Sequence, residues 1–126
     1  MAKIVHFEIP AEDPQRAGAF YHDVLGWEIS RFGGEPYWLV RAGEDGEPGV
    51  NGAIVTRDDL HRMPVLVAGV ADIDDVLRRV DSSGGRVVQS KLPVPGVGWS
   101  AYIIDQEGNT IGLFQPDATA TAGQGG

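Results

Sequence analysis

The sequence contains no cysteine among its 126 residues. That absence excludes disulfide scaffolds, Cys-based zinc sites, iron–sulfur clusters and thiol nucleophiles together. Positive charge is scarce as well. Ten Lys and Arg stand against 18 Asp and Glu, a formal net charge of -8, and no basic run gathers locally. Such a surface repels phosphate backbones, so no nucleic-acid partner is expected. Long apolar runs are also missing: nowhere do about eighteen apolar residues follow one another, and Lys3 interrupts the N-terminus before any signal-like stretch. A soluble, cytoplasmic protein without membrane partners is the expectation. Gly49-Val50-Asn51-Gly52 has no phosphate-loop spacing, and no Ser or Thr stands in a nucleophile-elbow context.

What the sequence does have is an internal repeat. The strand-like run Ile4 to Ile9 leads to Asp13-Pro14, then to a face formed by Ala17, Phe20, Tyr21 and Val24 that stops at Gly26. Later, Val65 to Ala68 leads to Asp72-Ile73, then to Ile73, Val76, Leu77 and Val80, stopping at Gly84-Gly85. Both faces have the i, i+3, i+4, i+7 spacing of an amphipathic helix. Asp13 and Asp72 are placed as N-caps, Pro14 suits a first helical turn, and the glycines can adopt the left-handed conformation that ends a helix. Three further strand candidates follow each helix: Trp27 to Phe32, Tyr37 to Arg41 and Val50 to Val55, then Arg86 to Gln89, Trp99 to Ile104 and Ile111 to Phe114. Turn-rich segments join them. The spacing therefore predicts an α+β fold of two βαβββ modules, 3–57 and 63–116, in a single domain spanning 1–116. The stretch 117–126 is small, polar and Gly-rich, and a disordered tail is expected there.

The run His6-Phe7-Glu8-Ile9-Pro10, followed by Asp13-Pro14, Ala17, Phe20-Tyr21 and Leu25-Gly26-Trp27, resembles the opening module of the vicinal oxygen chelate superfamily of glyoxalase I, bleomycin-resistance proteins and extradiol dioxygenases. Val70 to Asp74, Gly84-Gly85 and the closing Asp105 to Leu113 resemble its second module. The resemblance implies curved mixed sheets enclosing a cavity for a small organic ligand, usually in a homodimer. It also implies that metal-using members take ligands from the first and last strands of each module. Here those positions fall at His6, at or near Gly52, at Val65 and at Gly112. Only His6 offers a donor, and a cation needs about three protein ligands at a catalytic site. No metal and no cofactor are therefore expected.

His6 and Glu8 lie two apart on the first strand and share a face, with Val5, Phe7 and Ile9 on the other. They can form a tuned acid–base pair, supply two ligands to a displaced metal, or simply satisfy each other without chemistry. The first option makes them the catalytic candidates. Tyr37, Trp38, Trp99 and Tyr102 sit on middle strands and suit either a pocket wall or sheet core. Alternation does not choose between Tyr37 and Trp38; analogy with Gly98-Trp99-Ser100 favours Trp38 and Trp99 as inward. Trp38, Trp99 and Tyr102, with Val65, Gly52 and Gly112, form the expected ligand-binding set. The apolar Leu92 to Gly98 segment reads as a lid, a pocket rim or a dimer contact. His22 and His61 read as solvated surface histidines. Two functions follow: a cavity protein that binds or sequesters an organic ligand, or a lyase or isomerase that uses His6 and Glu8 to move a proton.

Overall fold

The computed structural model describes residues 1–121. The chain divides into two compact units, Val5–Val65 and Met1–Ile4 together with the residues from Leu66 onward. Each unit contains one βαβββ repeat, so the duplication legible in the sequence is present in the topology. No helix among the described residues is long and apolar enough to cross a membrane.

In the first repeat, β1 (Ile4–Ala11) is followed by α1 (Pro14–Leu25), β2 (Glu28–Arg31), β3 (Tyr37–Arg41) and β4 (Gly52–Thr56). The strands lie in the order β2-β3-β4-β1. β1 runs parallel to β4, and the remaining pairs are antiparallel. The second repeat has β5 (Val65–Gly69), α2 (Ile73–Val80), β6 (Arg86–Val94), β7 (Gly98–Ile104) and β8 (Thr110–Pro116). Its order is β5-β8-β7-β6, with β5 parallel to β8 and the others antiparallel. A long crossover containing a helix connects the parallel pair in each repeat, because a tight turn joins only antiparallel strands.

Both helices start as the caps require. The Asp13 carboxylate accepts from the Arg16 N–H and that of Asp72 from the Asp75 N–H, each at 3.1 Å. Gly26, at φ 74°, ends α1 in the left-handed region. α2 carries Asp74 and Asp75 in its first turn and Arg78 and Arg79 in its last, matching the helix dipole at both ends. Its expected apolar face holds: Ile73 and Val80 are buried, and Val76 and Leu77 pack on the core with Trp99, Ala101 and Leu113. The face of α1 is rotated from the expectation. Gly18 is buried, and a Cβ there would stand 3.3 Å from Ile29 Cγ2. The helix thus lies close to β2 along Pro14, Ala17, Gly18 and Tyr21, leaving Phe20 and Val24 58% and 60% exposed. A small residue at the contact drew the helix in on a line that apolar spacing alone did not mark.

Two segments differ from the sequence reading. β6 extends to Val94 and pairs Pro93 with Trp99 and Val94 with Gly98, so Leu92 to Gly98 is mostly hairpin, with only Pro95 to Val97 as turn. Pro93 is tolerated because β6 is the terminal strand of this repeat's sheet order and needs no second ladder. The expected tail also begins later. Asp117 N–H donates to Val97 O, Gly96 N–H donates to Ala120 O, and the Trp99 indole N–H donates to the Asp117 carboxylate. Ala120 is fully buried. Residues 117–120 therefore fold back on the β6–β7 turn, and 122–126 of the expected tail lie outside the described residues.

Candidate functional site

Strand alternation sorts the side chains of the Val5–Val65 unit onto two faces. Phe7 packs on the helix side with Trp27 at a ring separation of 5.5 Å, alongside Tyr21, Trp38, Val40 and Ile54. His6 and Glu8 therefore lie on the opposite face. Across the sheet, Ala53 is the register partner of Glu8, and Val55 that of Tyr37. This places Tyr37, not Trp38, beside His6 and Glu8. The correction has a simple cause: Trp38 is registered with the core residue Ile54. Trp99 is corrected in the same way, since it is buried among Val70, Ile73 and Leu113 beneath α2.

Gly52 also lies on the other face from the one expected. A Cβ there would meet Phe7 Cγ and Phe7 O at 2.5 Å, so it sits against the helix-side aromatic. Val65 and Gly112 alternate with the core residues Ala68 and Leu113 and thus face away from α2. Tyr102 shares that face, because a Cβ on Gly112 would stand 3.3 Å from Tyr102 Cε1 and 2.9 Å from Val67 Cγ2. The four positions implied by the resemblance thus hold His6, Gly52, Val65 and Gly112, or Ala53 in place of Gly52. That set does not fit the superfamily's metal, since only His6 has a donor atom. Among the described residues no group of three or more acidic or histidine side chains is disposed to hold a metal ion.

The face is organised around hydrogen bonds instead. Tyr37 Oη donates to Glu8 Oε2 at 2.8 Å and lies 2.7 Å from His6 Nε2. Glu8 Oε1 lies 2.6 Å from His61 Nε2, and His61 Nδ1 lies 2.9 Å from Asp58 Oδ1. Five side chains, Asp58, His61, Glu8, Tyr37 and His6, therefore form one unbroken series within a single unit. Glu8 and His61 are only 4% and 6% exposed.

His61 is the residue that the sequence reading placed on the surface. Its position comes from an Asx-type turn. Asp58 Oδ1 accepts from the Leu60 N–H at 3.0 Å and the His61 N–H at 2.8 Å, which folds the β4–β5 connection back and turns the imidazole inward. The available signal was Asp58 three residues before His61 in a segment with no apolar face of its own. By contrast, His22 stays at the surface, its Nδ1 2.9 Å from Trp27 O at the end of α1.

The two histidines are driven in opposite directions. Burial lowers the pKa of His6, and the nearby Glu8 charge only partly offsets it. Burial works against a charged His61 too, but the hydrogen bond and charge of Glu8, followed by those of Asp58, outweigh it and raise the pKa. A carboxylate at each ring nitrogen favours the imidazolium form. Because Tyr37 gives its proton to Glu8, its oxygen accepts from His6, and His6 is then the neutral Nε2–H tautomer with a lone pair at Nδ1. Displaced pKa values of opposite sign in neighbouring groups are the arrangement that separates acid from base at reactive sites.

The fold and this face define a chain of two βαβββ repeats, the first of which carries a hydrogen-bonded series from Asp58 to His6 on one sheet face. Residues 3–40 match the family described as bleomycin resistance protein-like N-terminal. No curated protein matches the sequence. Among solved structures, methylmalonyl-CoA epimerase from Mycobacterium tuberculosis is similar with a TM-score of 0.63 at 22% identity, covering 90% of this chain and 87% of that one. A glyoxalase/bleomycin resistance protein/dioxygenase superfamily member from Vibrio splendidus 12B01 gives 0.65 at 17%, covering 91% and 99%. A variant of Streptomyces coelicolor methylmalonyl-CoA epimerase, in complex with 2-nitronate-propionyl-CoA, gives 0.66 at 18%, covering 94% and 99%. The N-terminal match and the shared fold bear out the resemblance to the vicinal oxygen chelate superfamily.

Proposed function

We propose that this protein binds a small organic molecule at the face carrying His6, sequestering or presenting it without the superfamily's metal. One observation supports this reading above others. His6 is fixed by Tyr37 and its pKa is lowered by burial, so it offers an oriented acceptor nitrogen on the sheet face that also carries Ala53 and Val55. Glu8 has a different part from the one expected. It is buried between Tyr37 and His61 and therefore holds His6 in place indirectly, which makes it a positioning group. A homodimer in the cytoplasm belongs to the same proposal, and light scattering tests the assembly.

A second reading, a lyase or isomerase that moves a proton, is favoured by the opposite displacement of the two histidines. In that reading His6 Nδ1 takes the proton from a carbon acid. Calorimetric titration of wild type and His6→Ala with short organic acids and acyl-CoA thioesters tests both. The acyl-CoA compounds enter the panel because one similar structure is a methylmalonyl-CoA epimerase in complex with methylmalonyl-CoA. Binding to wild type that is lost in His6→Ala supports the proposal, and exchange of a ligand C–H with deuterated water supports the second reading. Equal binding to both proteins contradicts the placement of the site at His6.

A further inference from the structure

Asp58 is the most exposed member of the five-residue series. Its side chain is 56% exposed, whereas those of His61 and Glu8 are 7% and 5% exposed. The series therefore has a wet end at Asp58, two buried ionisable groups in the middle, and His6 at the far end, with consecutive polar atoms 2.6–2.9 Å apart. Those distances are hydrogen-bond lengths throughout, and each member can both hold and release a proton. Glu8 and His61 are costly to bury, and a single uncharged pair would fill the same space more cheaply. A purely structural clasp also has no need of an exposed terminus joined to a partly buried one.

We propose that Asp58, His61, Glu8 and Tyr37 form a proton relay between bulk solvent and His6. The inference rests on the reading that His6 is the ligand-facing group. In the resting arrangement His61 is the imidazolium, Glu8 and Asp58 are carboxylates, and His6 carries its proton on Nε2. A proton taken up at His6 Nδ1 releases the Nε2 proton to Tyr37 Oη, and the Tyr37 hydroxyl proton passes to Glu8 Oε2. Glu8, now neutral, no longer holds the charge of His61. The His61 Nδ1 proton then passes to Asp58 and on to water. One proton enters and one leaves, with no change in the total charge of the series, and the reverse sequence returns a proton to His6. Glu8, His61 and Asp58 are thus positioning and conducting groups, while His6 alone meets the ligand.

The test uses the ligand-free protein and reads proton exchange. Asp58→Asn is the decisive variant, because an Asn side-chain oxygen can still accept the turn hydrogen bonds while the amide cannot carry a proton onward. By NMR, exchange of the His61 Nδ1 proton with water should slow by about tenfold or more in Asp58→Asn, since positioned proton carriers contribute factors of that order and above. A structural role alone predicts the opposite, because losing the Asp58 charge makes His61 easier to deprotonate. In Tyr37→Phe, the His61 proton should keep its wild-type exchange rate, and the His6 proton should cease to respond to Asp58→Asn. Equal or faster exchange in Asp58→Asn overturns the relay, as does a His6 response that survives Tyr37→Phe. Failure of ligand binding in the calorimetric titration would leave these exchange rates untouched, so the two readings fail separately.

Discussion

His61 Nε2 stands 2.6 Å from Glu8 Oε1 across 53 residues of sequence, and both side chains are almost fully removed from solvent. This one pair ties the β4–β5 connection to the centre of β1. It converts a polar segment with no apolar face into an ordered part of the site.

Removing one partner leaves the other as an uncompensated buried group. His61→Leu should lower stability by about 3–5 kcal/mol in chemical denaturation, as expected when a buried ion pair loses one member. The double variant Glu8→Leu/His61→Leu should recover a large part of that loss. A double variant as unstable as the sum of the two singles would show that the pair is not coupled.

Stability should depend on pH through both histidines, with opposite signs. The pKa of His61 is raised by folding, so its contribution is fully present below the ordinary value of 6.5 and is lost as pH rises through its folded value. That of His6 is lowered, so the unfolded chain binds the extra proton and stability is lost as pH falls from 6.5 through its folded value. Urea unfolding across this range should show a maximum between the two. His61→Gln should flatten the alkaline limb and His6→Gln the acid limb, and limbs unchanged in both variants would contradict the assignment.

Glycine substitutions probe the two faces separately. Gly52→Ala drives a Cβ against Phe7 O as well as its ring, and backbone cannot step aside, so a loss of about 2–3 kcal/mol is expected. At Gly112→Ala the nearest atoms belong to the side chains of Val67 and Tyr102, and the change should cost about 1 kcal/mol. Thermal melts of the two variants decide between this order and its reverse, which would return Gly52 to the face of Glu8.

Tyr37→Phe keeps the ring and removes the hydroxyl that joins His6 to Glu8. The expected loss is about 1–2 kcal/mol in unfolding free energy, as for one buried hydrogen-bonded group left unpaired. Affinity for any molecule bound by wild type in the organic-acid and acyl-CoA panel should fall with it, because His6 loses its orientation. Full affinity in Tyr37→Phe would mean that His6 orientation does not matter to binding.

Much of this fold was legible because repetition is a periodic signal. The paired caps Asp13 and Asp72, and the spacing from them to the glycines, located both helices from sequence alone. The shared face of His6 and Glu8 followed from alternation on β1. Alternation fixes a face only relative to neighbours in the same strand, however, and register across strands decided the rest. Gly52 and Trp38 were therefore assigned to the wrong face, and Tyr37 could not be chosen over Trp38 until Tyr37 was seen opposite Val55. His61 escaped notice for a different reason. It lies in a connection, where no periodicity applies, and its burial depends on one turn built by Asp58 and one carboxylate far away in sequence.

His6 and His61, two histidines in one hydrogen-bonded series, are driven towards different charge states, neutral and protonated. Imidazole nitrogen NMR at neutral pH measures this directly. His61 should be protonated at both nitrogens and His6 neutral with its proton on Nε2. A neutral His61, or a His6 carrying its proton on Nδ1 at the same pH, would contradict it.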